Sequence, residues 1–160
     1  MAAAPMALLL WVMPLYFFQG PEQTQNSFSP LYVTIRTLNS TFLVAIFEEL
    51  FIRVYLLQLF FQAGRQLKAK GFVDAIFSTF EQHPRRLEAL PISLFSVTLA
   101  TVAFTVGHTL VQWPSAILYF LFTTYVYWKS NSIWVCILMH GMANLAIALL
   151  VGFGGMGFLW

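Results

Sequence analysis

The chain has 160 residues, 59% of them hydrophobic and 18% aromatic, and only 9% are charged. A soluble domain carries about 25% charged residues, so this composition and a mean hydropathy of +0.76 exclude an ordinary soluble fold and indicate a single multi-pass membrane domain over 1–160, with the lipid bilayer as its solvent. A net charge of +2 spread over eight basic residues is too sparse for nucleic acid, and the single Cys136 excludes an internal disulfide.

Crossing a bilayer takes about 20 apolar residues in a helix, and five runs approach that. The first, about Ala2 to Phe18, has no Lys or Arg and so lacks the basic start of a signal peptide; Pro5 and Pro14 are points where it can break. Gly20 to Pro30 is polar and turn-rich. The second run covers about Thr37 to Gln62. The third spans about Leu90 to Gln112, with a turn at Trp113-Pro114. The fourth runs from about Ser115 to Trp128 and ends in the polar turn Lys129 to Ser132. The fifth runs from Ile133 to about Phe153. The expected fold is therefore an all-α membrane bundle of about five transmembrane helices. Its catalytic core covers about 38–153.

Between the second and third runs, the segment 64–89 holds Arg65, Lys68, Lys70, Arg85 and Arg86, five of the eight basic residues. The bias of Lys and Arg toward the cytoplasmic face places this loop inside the cell. Within it, Phe72, Val73, Ile76, Phe77 and Phe80 recur at helical spacing. That pattern suits a helix lying in the membrane interface, or one packed against the bundle.

The second run carries the least expected residues. Glu48 and Glu49 are adjacent, and Arg53 follows four residues after the second. An ionised side chain at mid-membrane costs roughly 2.5–3.5 kcal/mol on insertion scales, so each must have a partner or a task. Glu49 and Arg53 are i and i+4 and face each other. Glu48 is rotated by about 100° and points elsewhere. The pair explains itself as structure, whereas Glu48 is left free to work. In the third run, His108 follows Phe104 by four residues; in the fifth, Asn144 follows His140 by four. A single histidine in an apolar helix can satisfy itself on a backbone carbonyl, and the small Gly141 and Ala143 beside His140 can serve close packing. A carboxylate, two histidines and an asparagine on three separate spans jointly suggest proton chemistry in a dry cavity among those spans.

The series Glu48-Glu49-x-x-x-Arg53, Phe104-x-x-x-His108, His140-x-x-x-Asn144 resembles the three-motif signature of the CPBP family, the CAAX-protease and bacteriocin-processing intramembrane endopeptidases, which include the type II CAAX prenyl endopeptidases. Ile52 and Val54 stand where that family often has an aromatic residue and a glycine. The resemblance implies that Glu48 and His108 activate a water, that His140 and Asn144 bind the developing oxyanion, and that Glu49, Arg53 and Phe104 support them. It implies a membrane-anchored protein or peptide as substrate: a prenylated C-terminus, a bacteriocin-type leader or a C-terminal sorting segment. The chemistry is consistent, because a carboxylate in a dry pocket is a stronger base and an amide donor suits a tetrahedral oxygen.

Three alternatives use the same residues. Glu48, His108 and His140 are a candidate zinc-ligand set, although no His-Glu-x-x-His spacing is present and Asn144 would then be idle; the metal-free reading, with no cofactor, is preferred. Cys136, His140 and Asn144 form an i, i+4, i+8 stripe that suggests a thiol nucleophile, against which stands the poor geometry of three groups on one helix. Buried Glu and His also serve proton-coupled carriers, but no internal repeat is visible.

Overall fold

The computed structural model describes residues 3–19, 28–67, 71–82 and 92–159, and the described residues contain helices and turns and no strand. Helix α1 is Ala3–Gln19, and Pro14 lies inside it without ending it. Helix α2 runs unbroken from Pro30 to Gln66, longer at its start than the expected Thr37. Ser29 caps it, its hydroxyl accepting from the Tyr32 N–H, and Pro30 sits where a missing N–H costs nothing. The preceding polar segment from Gly20 lies outside the described residues as far as position 27.

Two stretches of α2 are π-helical, Asn39–Val44 and Leu50–Leu56, and they flank the short α-helical piece Ala45–Glu49 that carries both glutamates. Wider i→i+5 turns of this kind are rare and concentrate at functional sites. Arg53 lies in the second of them and still pairs with Glu49 four residues before it.

Helix α3, Phe72–Gln82, buries Ala75 and Thr79 and leaves Phe72, Val73 and Phe77 exposed. It packs against the end of α2, where the Ser78 hydroxyl donates to Gln66 Oε1 at 2.6 Å. One face therefore docks on the bundle, as one of the two expectations had it, and the opposite face is apolar and exposed. Lys68, Lys70, Arg85 and Arg86 lie outside the described residues.

Helix α4, Leu94–Val106, opens on a Ser93–Ser96 capping box. It stops well short of the expected Gln112, because Gly107 ends it and a 3-10 turn, Leu110–Gln112, follows. His108 therefore sits in a turn beyond a helix, not within one. Helix α5, Trp113–Ser130, starts two residues earlier than expected, with Pro114 in its first turn. Asn131 closes it in the left-handed region (φ 50°), its N–H bonding the Tyr127 carbonyl at 2.9 Å. Helix α6, Ile133–Gly154, matches the fifth expected run.

α1 packs on α5 and α6, the centre of α2 packs on α6, and the end of α2 packs on α4. The buried core gathers Ile52, Leu57, Phe104, Phe120, Cys136 and Met139. α6 is long and apolar enough to cross a membrane; α1 and α4 are apolar but shorter. The outer faces are apolar as well, with Leu9, Phe47, Phe51, Trp134, Leu138 and Met142 all exposed.

Candidate active site

The closest approach between α2 and α6 fixes the site. At Gly141 an added Cβ would lie 2.7 Å from the Thr41 carbonyl oxygen, so only glycine lets the two backbones meet. One turn on, the Asn144 amide donates to the Ser40 carbonyl at 2.8 Å. Both contacts fall in the first π-helical stretch of α2. They draw His140 and Asn144 against the glutamates.

Glu49 is fully buried and bridges two partners. One carboxylate oxygen pairs with Arg53, itself 1% exposed; the other accepts from His140 Nδ1 at 2.9 Å. Arg53 also donates to the Thr123 hydroxyl on α5, and its guanidinium lies 5.1 Å from the centre of the Phe120 ring. A chain of polar contacts thus runs Thr123–Arg53–Glu49–His140 through the bundle. Beyond the expected pairing with Arg53, Glu49 also holds a histidine 91 positions away.

Glu48, one residue earlier, is different. Its side chain is 39% exposed against 1% for Glu49, and one of its oxygens lies 3.9 Å from His140 Nε2. His108 Nδ1 bonds the Phe104 carbonyl at 2.8 Å. A carbonyl only accepts, so Nδ1 carries the proton and Nε2 presents a lone pair. The Trp113 indole N–H donates to the His108 carbonyl at 3.2 Å and holds the turn.

Glu48, His108, His140 and Asn144 all line one cavity of about 100 Å³, together with Phe104. At ~30 Å³ per water that is room for a few waters or a reacting amide group. The expected cavity lay between the second, third and fifth runs. α1 and α5 also contribute to its wall, through Trp11 and Tyr119. Trp11 meets His108 edge to face at 5.2 Å between ring centres and Tyr119 at 5.6 Å; Tyr119 meets His140 at 5.5 Å. No sequence signal singled out either residue, since an aromatic ring inside an apolar run reads as lipid-facing or core. Cys136 does not line the cavity; it is buried, with its thiol directed at the Thr123 carbonyl at 3.7 Å. Among the described residues, no three His, Cys, Asp or Glu side chains gather as a metal-ligand set.

The family model for Type II CAAX prenyl endopeptidase Rce1-like proteins matches residues 30–146 of the 160. The chain belongs to this family. Rce1-like proteins are integral membrane proteins with CAAX-protease activity. The matched segment runs from the first residue of α2 into α6, and it contains every cavity residue named above except Trp11. No curated protein and no solved structure matches the chain.

Proposed function

We propose that this Rce1-like chain is a multi-pass intramembrane endopeptidase that cleaves a membrane-anchored protein or peptide with a water activated by Glu48 and His108. The observation that carries the reading is that four polar side chains, from α2, from the turn after α4 and from α6, line one small cavity. The apolar outer faces of the helices support a bilayer setting, with about five spans and the basic segment 64–89 on the cytoplasmic side.

The reaction uses the geometry directly. A water in the cavity donates one hydrogen bond to His108 Nε2. It gives its other proton to the Glu48 carboxylate as its oxygen attacks the substrate carbonyl carbon. The C=O electron pair moves onto the carbonyl oxygen. The remaining N–H of Asn144 and the His140 ring stabilise that charge, with the ring held in place by the Glu49 carboxylate on Nδ1. Glu48 then passes its proton to the amide nitrogen, the C=O re-forms as the C–N bond breaks, and the new carboxylic acid gives its hydroxyl proton to the amine, so that a carboxylate and an ammonium group leave. Glu49 and Arg53 hold the helix and His140; Phe104 supplies the carbonyl that sets the His108 tautomer. The proposal includes no metal ion or other cofactor.

The test is proteolysis by purified protein in liposomes. Three probes are offered: a peptide with a prenylated Cys-aliphatic-aliphatic-X end, a leader peptide, and a sorting segment with one transmembrane helix. Wild type is expected to cleave at least one. Glu48→Gln and His108→Ala are expected to cleave none, and a chelator is expected to leave the rate unchanged. Activity abolished by chelation and restored by zinc would replace the metal-free mechanism with a zinc one. Cleavage of no probe, with proton flux into the liposomes, would replace the enzyme with a carrier.

A further inference from the structure

Glu48 lines the catalytic cavity, yet its side chain is 39% exposed, so the cavity is open where Glu48 stands. The rest of the lining shows the direction. Phe104, Tyr119, His140, Ala143 and Ile147 are buried and form the floor. Trp11 of α1, Val44 and Glu48 of α2, His108 in the turn after α4 and Asn144 of α6 are partly exposed and form the mouth.

The opening has a structural cause. The piece of α2 that carries Glu48, Ala45–Glu49, packs on α6. α4 packs on α2 along 50–66 and then stops at Gly107. α1 packs on α5, on α6 and on the turn Leu110–Gln112. Among the described residues, neither α1 nor α4 makes a sizeable contact with Ala45–Glu49. The wall that a longer α4 would supply beside Glu48 is missing. What borders the gap is apolar: Phe47 and Phe51 on α2, and Val106 and Leu110 on either side of the His108 turn, are all more than half exposed. In an integral membrane protein such a rim faces hydrocarbon. A segment in lipid keeps its amides bonded within a helix, whereas an amide under attack needs its carbonyl free, so what reaches Glu48 by this route arrives unwound.

Building on the endopeptidase reading, we infer that the gap between α1 and α2, bordered by the His108 turn, is the substrate entrance, and that it takes an extended, apolar stretch of a membrane-anchored polypeptide sideways from the bilayer. The side chains of that stretch rest on Phe47, Phe51, Val106 and Leu110 while its scissile carbonyl reaches Glu48 and His108.

Photo-crosslinking reads the route directly. The Glu48→Gln protein in liposomes holds the cleaved probe peptide without cutting it, and benzoylphenylalanine replaces either Phe47 or Val106 in it. Leu138 and Met142 are the matched control positions: they are as exposed and as apolar, but border a separate groove on the face of α6 turned from the cavity. Crosslinks to the peptide are expected at 47 and 106 and not at 138 and 142. No crosslink at 47 and 106, or equal crosslinking at all four positions, overturns the inference. In the otherwise wild-type protein, Phe47→Ser is expected to raise KM for the same peptide about tenfold with kcat within about twofold, the pattern of lost binding. Leu138→Ser is expected to leave both unchanged. An unaltered KM in Phe47→Ser also overturns the inference, and should that variant not fold, the crosslinking pattern decides alone. If wild type cleaves a probe while the crosslinks fall at 138 and 142, only this inference falls. If wild type cleaves no probe, the endopeptidase reading falls and takes it along.

Discussion

Removing one member of the Arg53–Glu49 pair is expected to be far more damaging than removing both. Both side chains are essentially inaccessible, at 1% and 0% exposure, so neither charge can turn to solvent when its partner is lost. Breaking a buried pair in this way costs about 3–5 kcal/mol, most of it from the stranded charge. In Glu49→Gln the penalty has a second source. The carboxylate accepts from Arg53 on one oxygen and from His140 Nδ1 on the other. A glutamine side chain has one acceptor and one NH2, so a donor must face a donor at one of those two contacts. Arg53→Met leaves Glu49 with His140 alone and frees the Thr123 hydroxyl. In the double variant no buried charge remains, and the coupling between the two sites is expected to reach ~2 kcal/mol or more in favour of the double. The assay is unfolding in mixed micelles by a denaturing detergent, followed by the fluorescence of the five tryptophans and by circular dichroism. Single variants within about 1 kcal/mol of wild type, or strictly additive losses, would refute the reasoning, since surface-like pairs behave that way.

Three other outcomes follow from the same geometry. Gly141→Ala puts a methyl 2.7 Å from a backbone oxygen that cannot swing aside; about 1–3 kcal/mol of stability is expected to be lost, along with most activity, and an unaltered unfolding midpoint would contradict the close helix contact. Cys136→Ala is expected to retain cleavage within about twofold, losing only on the order of 1 kcal/mol of packing; loss of cleavage in a folded protein would reinstate the thiol nucleophile. Trp11→Ala removes the ring packed against His108 and Tyr119. Each such contact is worth ~0.5–1.5 kcal/mol, and a fall in kcat of about tenfold, or 1.4 kcal/mol, is expected, largely restored in Trp11→Phe. Equal rates in wild type and Trp11→Ala would remove α1 from the working site.

What was legible in the sequence, and what was not, divides along physical lines. α6 was readable because its apolar run is bounded by the polar turn Lys129 to Ser132 and because length decides a span. The start of α2 was missed although Ser29-Pro30 is a helix-start signal; the mixed residues up to Arg36 concealed it. The end of α4 was misplaced by six residues although Gly107 marked it, because apolarity continues past the glycine into Leu110 and Val111. The π-helical stretches have no periodic signature in one sequence; the first of them meets Gly141 and Asn144 on another helix. The same limit hid the second partner of Glu49, and it hid Trp11 and Tyr119. Local spacing identifies residues that share a helix face, whereas a cavity is a relation between helices.

The arrangement of charge bears on which kind of proton chemistry this cavity can perform. Two adjacent carboxylates in a low-dielectric interior would repel, and one would take up a proton. Arg53 neutralises Glu49, which leaves Glu48 as the one carboxylate lining the cavity. A carrier needs a path onward for the proton that Glu48 accepts. The contacts leading inward from His140 pass through Glu49 to Arg53, whose guanidinium does not release a proton. They end at Thr123, whose hydroxyl already donates to the Tyr119 carbonyl at 2.8 Å. The line is a brace that closes inside the bundle. In the proposed hydrolysis, a proton taken by Glu48 returns across the cavity to the leaving nitrogen of the cleaved amide.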